Sequence, residues 1–197
     1  MKKTSHWIMA MLLIAILVAG CSDGTGVQQG ASAGIPSWLA DKTWVGEMTM
    51  RTSNPEESPY TLPFVVKTSE NDIFISSPSG TASGSDAEIS IDMGDGFLHI
   101  LDEYGIPYTE KGTDTDYTLS APDFVIEEYF SDEMVSADVR ISADMELHVD
   151  RLSDIQIILT ISMRDMQENI SMTENGQEHS VNMAYGNGVM SGILIRA

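Results

Sequence analysis

The sequence predicts an all-β fold: an antiparallel meander of about eight to ten strands, forming a barrel or a strongly curved sheet. Three observations predict it. First, Val135, Ala137, Val139, Ile141, Ala143, Met145, Leu147 and Val149 are apolar, and every residue between them is polar. A period of two sorts these sets onto opposite faces of a strand, which a helix cannot do. Second, Asn175-Gly176 is a two-residue hairpin turn between apolar-alternating segments. Third, no segment sustains a 3.6-residue period. Strands near fifteen residues exceed the usual length of about five or six. With one apolar face they must curl or leave edges and apolar surface exposed, so a barrel or a sheet folded over itself is expected, with a sandwich as the alternative.

The elements follow in order. Residues 1–20 begin Met1-Lys2-Lys3 and run apolar from Trp7 to Ala19, the pattern of a secretory signal and too short to span a bilayer comfortably. Residues 21–36 are largely small and polar, a flexible tether. A single β domain is expected over 37–197. Pro36 to Ala40 is compatible with one helical turn. Trp44, Gly46, Met48 and Met50 alternate with Val45, Glu47, Thr49 and Arg51 as a first strand; Tyr60, Leu62, Phe64 and Val66 form a second. Ile73-Phe74-Ile75 is a short third, and Ser76 to Asp86 a Ser/Gly-rich loop. Ala87 to Met93 alternates again, and Gly94-Asp95-Gly96 turns into an expected strand at Phe97–Leu101. Tyr117 with Leu119, and Phe124 to Ile126, mark two weaker strands, while Glu127 to Phe130 allows a helical turn. The long Val135 strand turns at 150–154 into Ile155, Ile157, Leu159, Ile161 and Met163. Strands around Ile170 and Val181 flank Asn175-Gly176, and Gly186-Asn187-Gly188 turns into a last strand at Val189–Ile195.

Val18-Ala19-Gly20-Cys21, an aliphatic residue and two small ones before the chain's only cysteine, resembles the bacterial lipoprotein signal. The resemblance implies cleavage before Cys21, its acylation, and a mature protein anchored to a membrane of the bacterial cell envelope. Ser22 after the cysteine leans, in Gram-negative sorting, towards the outer membrane facing the periplasm. With Cys21 acylated no disulfide is available, so the core alone must hold the fold. Losing Lys2 and Lys3 with the signal leaves eight bases against 30 acids, a net of −22. That surface repels nucleic acid, which excludes a nucleic-acid partner.

Near Trp38 a short turn precedes Trp44-Val45-Gly46 and the meander, an arrangement that resembles the lipocalin-like (calycin) barrels, although their opening reads Gly-x-Trp. This implies a non-enzymatic lipoprotein binding a small apolar or amphipathic ligand, with Trp44, Met48, Phe64, Ile141 and Leu159, together with Val139 and Ile157, facing inwards. The same residues also suit a solid core, in which case the protein docks other envelope proteins through an exposed face. Trp44-Val45-Gly46-Glu47-Met48-Thr49-Met50-Arg51 resembles the metal-binding strand of periplasmic copper/silver-efflux metallochaperones. That resemblance implies Cu(I) or Ag(I) held by the thioethers of Met48 and Met50, soft ligands suited to such ions. No mature histidine precedes Trp44 as a third ligand. As core residues the two methionines fill irregular gaps.

Other chemistry finds little support. His148 falls on a polar strand face, His179 near a turn, and His99 in an apolar run where a partly buried histidine is expected. There is no HExxH, cysteine pair, Gly-x-Ser-x-Gly elbow or phosphate-cradling loop. Asp92-Met93-Gly94-Asp95-Gly96 lacks the oxygen ligands of a calcium loop and reads as a turn between strands. The sequence therefore predicts no enzyme and no cofactor.

Overall fold

The computed structural model describes residues 34–53, 58–81, 88–92, 95–131, 135–174 and 177–197. The expected signal, Cys21 and most of the expected tether lie outside them. The chain is all-β as expected. Its strands are β1 (Lys42–Thr52), β2 (Tyr60–Thr68), β3 (Ile73–Thr81), β4 (Glu88–Asp92), β5 (Thr109–Gly112), β6 (Asp116–Ser131), β7 (Val135–Ser153), β8 (Gln156–Glu174) and β9 (Gln177–Arg196). They form one nine-stranded sheet in the order β4-β3-β2-β1-β9-β8-β7-β6-β5. Every described pairing is antiparallel.

First strand pairs with last, so the sheet's ends are β4 and β5. The chain between them carries helix α1 (Phe97–Glu103). One core cluster contains Phe64 and Ile73 from one wing, Tyr117 and Leu119 from the other, and Phe97, Leu98 and Leu101 of α1. A flat sheet cannot bring its two wings into one cluster, so the sheet curls into a half-barrel around this core. The predicted turn at Pro36 forms: Leu39 and Ala40 donate backbone N–H bonds to the Pro36 carbonyl. From it the Trp38 indole donates 2.7 Å to the Thr113 carbonyl between β5 and β6, and Thr68 of β2 hydrogen-bonds the Leu39 carbonyl. Ile35, two residues before the expected start of the domain, already packs in the core.

Several expectations are corrected. Phe97–Leu101 is helix, so the residues before it join β4 to α1 and not strand to strand. His99 accordingly faces out and is exposed. Ile73–Ile75 extends to Thr81, into the segment read as a loop, and β5 was not foreseen. Glu127 to Phe130 is strand, and the two weak strands of that region are one, β6. Likewise β8 and β9 are each continuous through points read as interruptions. The reason is common to all three. The β6–β7 ladder slips between Ala121 and Phe124, where Asp123 has φ 59°. The β7–β8 and β8–β9 ladders slip around Asp165 (φ 51°) and Gly186 (φ 72°). A bulge inserts a residue without ending the strand. It shifts the apolar positions from one parity to the other, and in sequence this looks like two strands.

Candidate functional site

Trp44, Met48, Phe64, Ile141 and Leu159 all point inwards and are at most 2% exposed. They sit side by side with Leu147, Val149 and Leu194 in the core cluster. Alternation along β1 puts Trp44, Met48 and Met50 on one face, and Met50 pairs with Met190 of β9. Met50 is also buried. Among the described residues no three His, Cys, Asp or Glu side chains converge to hold a metal ion. The Trp44 indole N–H is buried without a partner.

Two clefts are lined by other residues. One, of about 390 Å³, lies where α1 meets the β2–β3 turn and is lined by Glu70, Asp72, Asp102, Glu110, His99 and Tyr108. Asp72 is its structural centre. Its carboxylate accepts the N–H groups of Ile73 (2.7 Å), Leu98 (2.9 Å) and His99 (3.2 Å), and so caps α1 from another element. Gly96, the N-cap residue, offers no side chain, and a Cβ there would overlap the Asp72 carboxylate. Burial pushes the Asp72 carboxyl above the ordinary range, while the three backbone donors pull the other way. Glu110 is buried and accepts the Tyr117 hydroxyl at 2.5 Å, and burial with this bond raises the Tyr117 phenol far above its ordinary value. A second cleft, about 440 Å³, opens on the outside between the end of α1 and Arg140, which pairs with Glu127.

The third feature is a sheet face that sequence reasoning missed. The β1 ladder ends at Thr52 opposite Gly188, and the β5 ladder ends at Thr109 opposite Ser120. Beyond those points, among the described residues, only β6 to β9 continue, as a four-stranded extension. Register across it places Ile126, Ile141, Glu168 and Met183 in one row on the inner face. The next row is Glu128, Val139, Ile170 and Val181; the one after pairs Ala137, Met172 and His179. Ile170, Met172 and Met183 are only half-buried, and Val181 is 47% exposed. This is an apolar concave floor open to solvent.

Glu168 stands where that floor meets the closed core, and it is 2% exposed. One carboxylate oxygen, Oε2, accepts the Tyr185 hydroxyl. The other, Oε1, is buried and has no partner. Burial and the carboxylate push the Tyr185 phenol well above its ordinary value. Glu128, one row out, accepts the Tyr104 hydroxyl from the end of α1. The signal for this site was present but diluted. Glu168 follows the parity of Met166 and Ile170 as a charged residue in an apolar face, yet the bulge at Asp165 hides that parity.

On the convex face there is a different apolar surface. Val45 faces Ile195, and Ile158 faces Ile193. Ile193 is 54% exposed and Ile195 49%. Comparison with protein-family models and with curated proteins finds no match to this chain.

Proposed function

We propose that this chain is a membrane-tethered, non-enzymatic lipoprotein of the bacterial cell envelope, whose domain binds a small amphipathic ligand on the concave face of its four-stranded extension. The resemblance of Val18-Ala19-Gly20-Cys21 to the bacterial lipoprotein signal supports the tether and the location. The observation that carries the binding reading is the row arrangement itself. Ile170, Met172, Val181 and Met183 form an uncovered apolar floor that leads to a buried carboxylate. The ligand sits beside the core rather than inside it, because the inward residues of the closed half pack on one another. Methionines on the floor suit this, since their unbranched thioethers repack around different apolar shapes.

Binding of the neutral dye Nile red to the full chain tests the reading. Dye fluorescence is expected to rise with the wild type and to fall at least ten-fold in affinity with Val181→Asp. Because Val181 is 47% exposed, the melting temperature is expected to change little. Equal dye binding by the variant would exclude this face.

A second reading is docking of another envelope protein through the convex patch of Val45, Ile193 and Ile195. Exposed aliphatic residues grouped on one face favour it. Replacing Ile193 and Ile195 with Ser is expected to abolish in-cell crosslinks to a partner under that reading, and to leave Nile red binding untouched.

A further inference from the structure

We infer that the polar end of the ligand is a protonated amine, held by the Oε1 oxygen of Glu168. This rests on the ligand-binding reading above and names the chemical class it takes. The argument starts from the cost of the group. A buried carboxylate oxygen without a donor forfeits its hydration, a loss on the order of a few kcal/mol, and natural folds keep such groups rarely. The fold supplies Glu168 with one donor, Tyr185, and stops there. Its cross-strand neighbours Ile141 and Met183 bring no donor, nor do Met166 and Ile170 along its own strand. Arg140 pairs with Glu127 and Arg151 with Asp154, and the His148 ring bonds Asp150, so these three groups are engaged away from Glu168.

The surroundings select the ligand. A bare metal ion needs several converging ligands, and none of the described His, Asp or Glu groups provides them. An anion is repelled by Glu168 and Glu128 on the same face and by the chain's charge of −20. A primary ammonium on an apolar chain fits each element. Its N–H donors satisfy Oε1, its charge is balanced in a low-dielectric site where that pairing is strong, and its hydrocarbon lies on Ile170, Met172 and Val181. Met183 stands directly opposite Glu168 and is half-buried, its sulfur 3.5 Å from the Tyr185 hydroxyl; the binding inferred here requires this flexible thioether to move aside. Glu128, already bonded to Tyr104, adds negative potential one row away.

Isothermal titration of the full chain with n-hexylammonium and, separately, n-hexanol tests this. The amine is expected to bind at least ten-fold more tightly than the alcohol. Glu168→Gln is expected to erase that preference while binding hexanol as before. Glu127→Gln, on the opposite face, is expected to retain it. Thermal melting controls for folding: the neutral isostere removes a buried charge, so E168Q is expected to melt no lower than the wild type. Equal affinities for amine and alcohol, or a preference that survives in E168Q, would overturn the inference and leave the ligand-binding reading standing. Failure of both probes to bind at millimolar concentration would overturn both.

Discussion

Asp72 shows how one side chain sets both structure and pH response. It supplies the cap that Gly96 cannot, so Asp72→Ala is expected to cost about 1–2 kcal/mol and loosen α1 against the core, measurable by denaturant unfolding. Its titration has a definite sign. Burial raises the carboxyl pKa in the folded state above the ordinary 3.8, so the folded chain holds this proton more tightly than the unfolded chain does. The stability Asp72 contributes by this route is full below its unfolded value. It is lost as pH rises through the folded one. Asp72→Asn cannot ionise and keeps an acceptor for the helix N–H groups. It should therefore lose less stability than the wild type as pH rises from about 4. A larger loss in the variant would contradict the assignment. At this scale the inward residues were legible, since Trp44, Met48, Phe64, Ile141 and Leu159 lie where alternation places them. Glu168 was not, because its parity is readable only once the bulge at Asp165 is known.

At the scale of elements, long regular strands were legible and everything that depends on a distant partner was not. The β7 alternation predicts its buried face without error from Val139 to Val149. The helix α1 carries no local cap, and its Phe-Leu-His-Ile-Leu run reads equally as a strand; only Asp72 and the core behind Leu98 and Leu101 decide it. The pairing of β1 with β9 was equally invisible, because it joins the two ends of the domain. Glycines make that seam possible. A Cβ on Gly46 would stand 2.5 Å from the Ile193 carbonyl oxygen, and one on Gly192 would overlap the Glu47 carbonyl oxygen. Gly192→Val is therefore expected to force β1 from β9 and destabilise by more than about 2 kcal/mol, compared with under about 1 kcal/mol for a surface change such as Thr160→Val. Unfolding curves decide it: equal stability of the two variants would mean the seam yields.

At the scale of the molecule, the sheet is a barrel opened between β4 and β5, with α1 in the connection and a four-stranded extension carrying an uncovered inner face. A charge of −20 in a chain of 197 residues makes self-repulsion a global term. Raising NaCl from about 10 mM to about 300 mM should therefore raise the melting temperature by a few degrees, since the Debye length falls from about 30 Å to below 10 Å. A melting point that falls over that range would mean surface ion pairs outweigh repulsion. The central claim is that the extension holds a ligand, and native mass spectrometry of the protein purified from its own source cells tests it most directly. A bound mass of small-molecule size that leaves on mild denaturation, and is absent from Val181→Asp, is the predicted result. A bare protein mass for the wild type would contradict it.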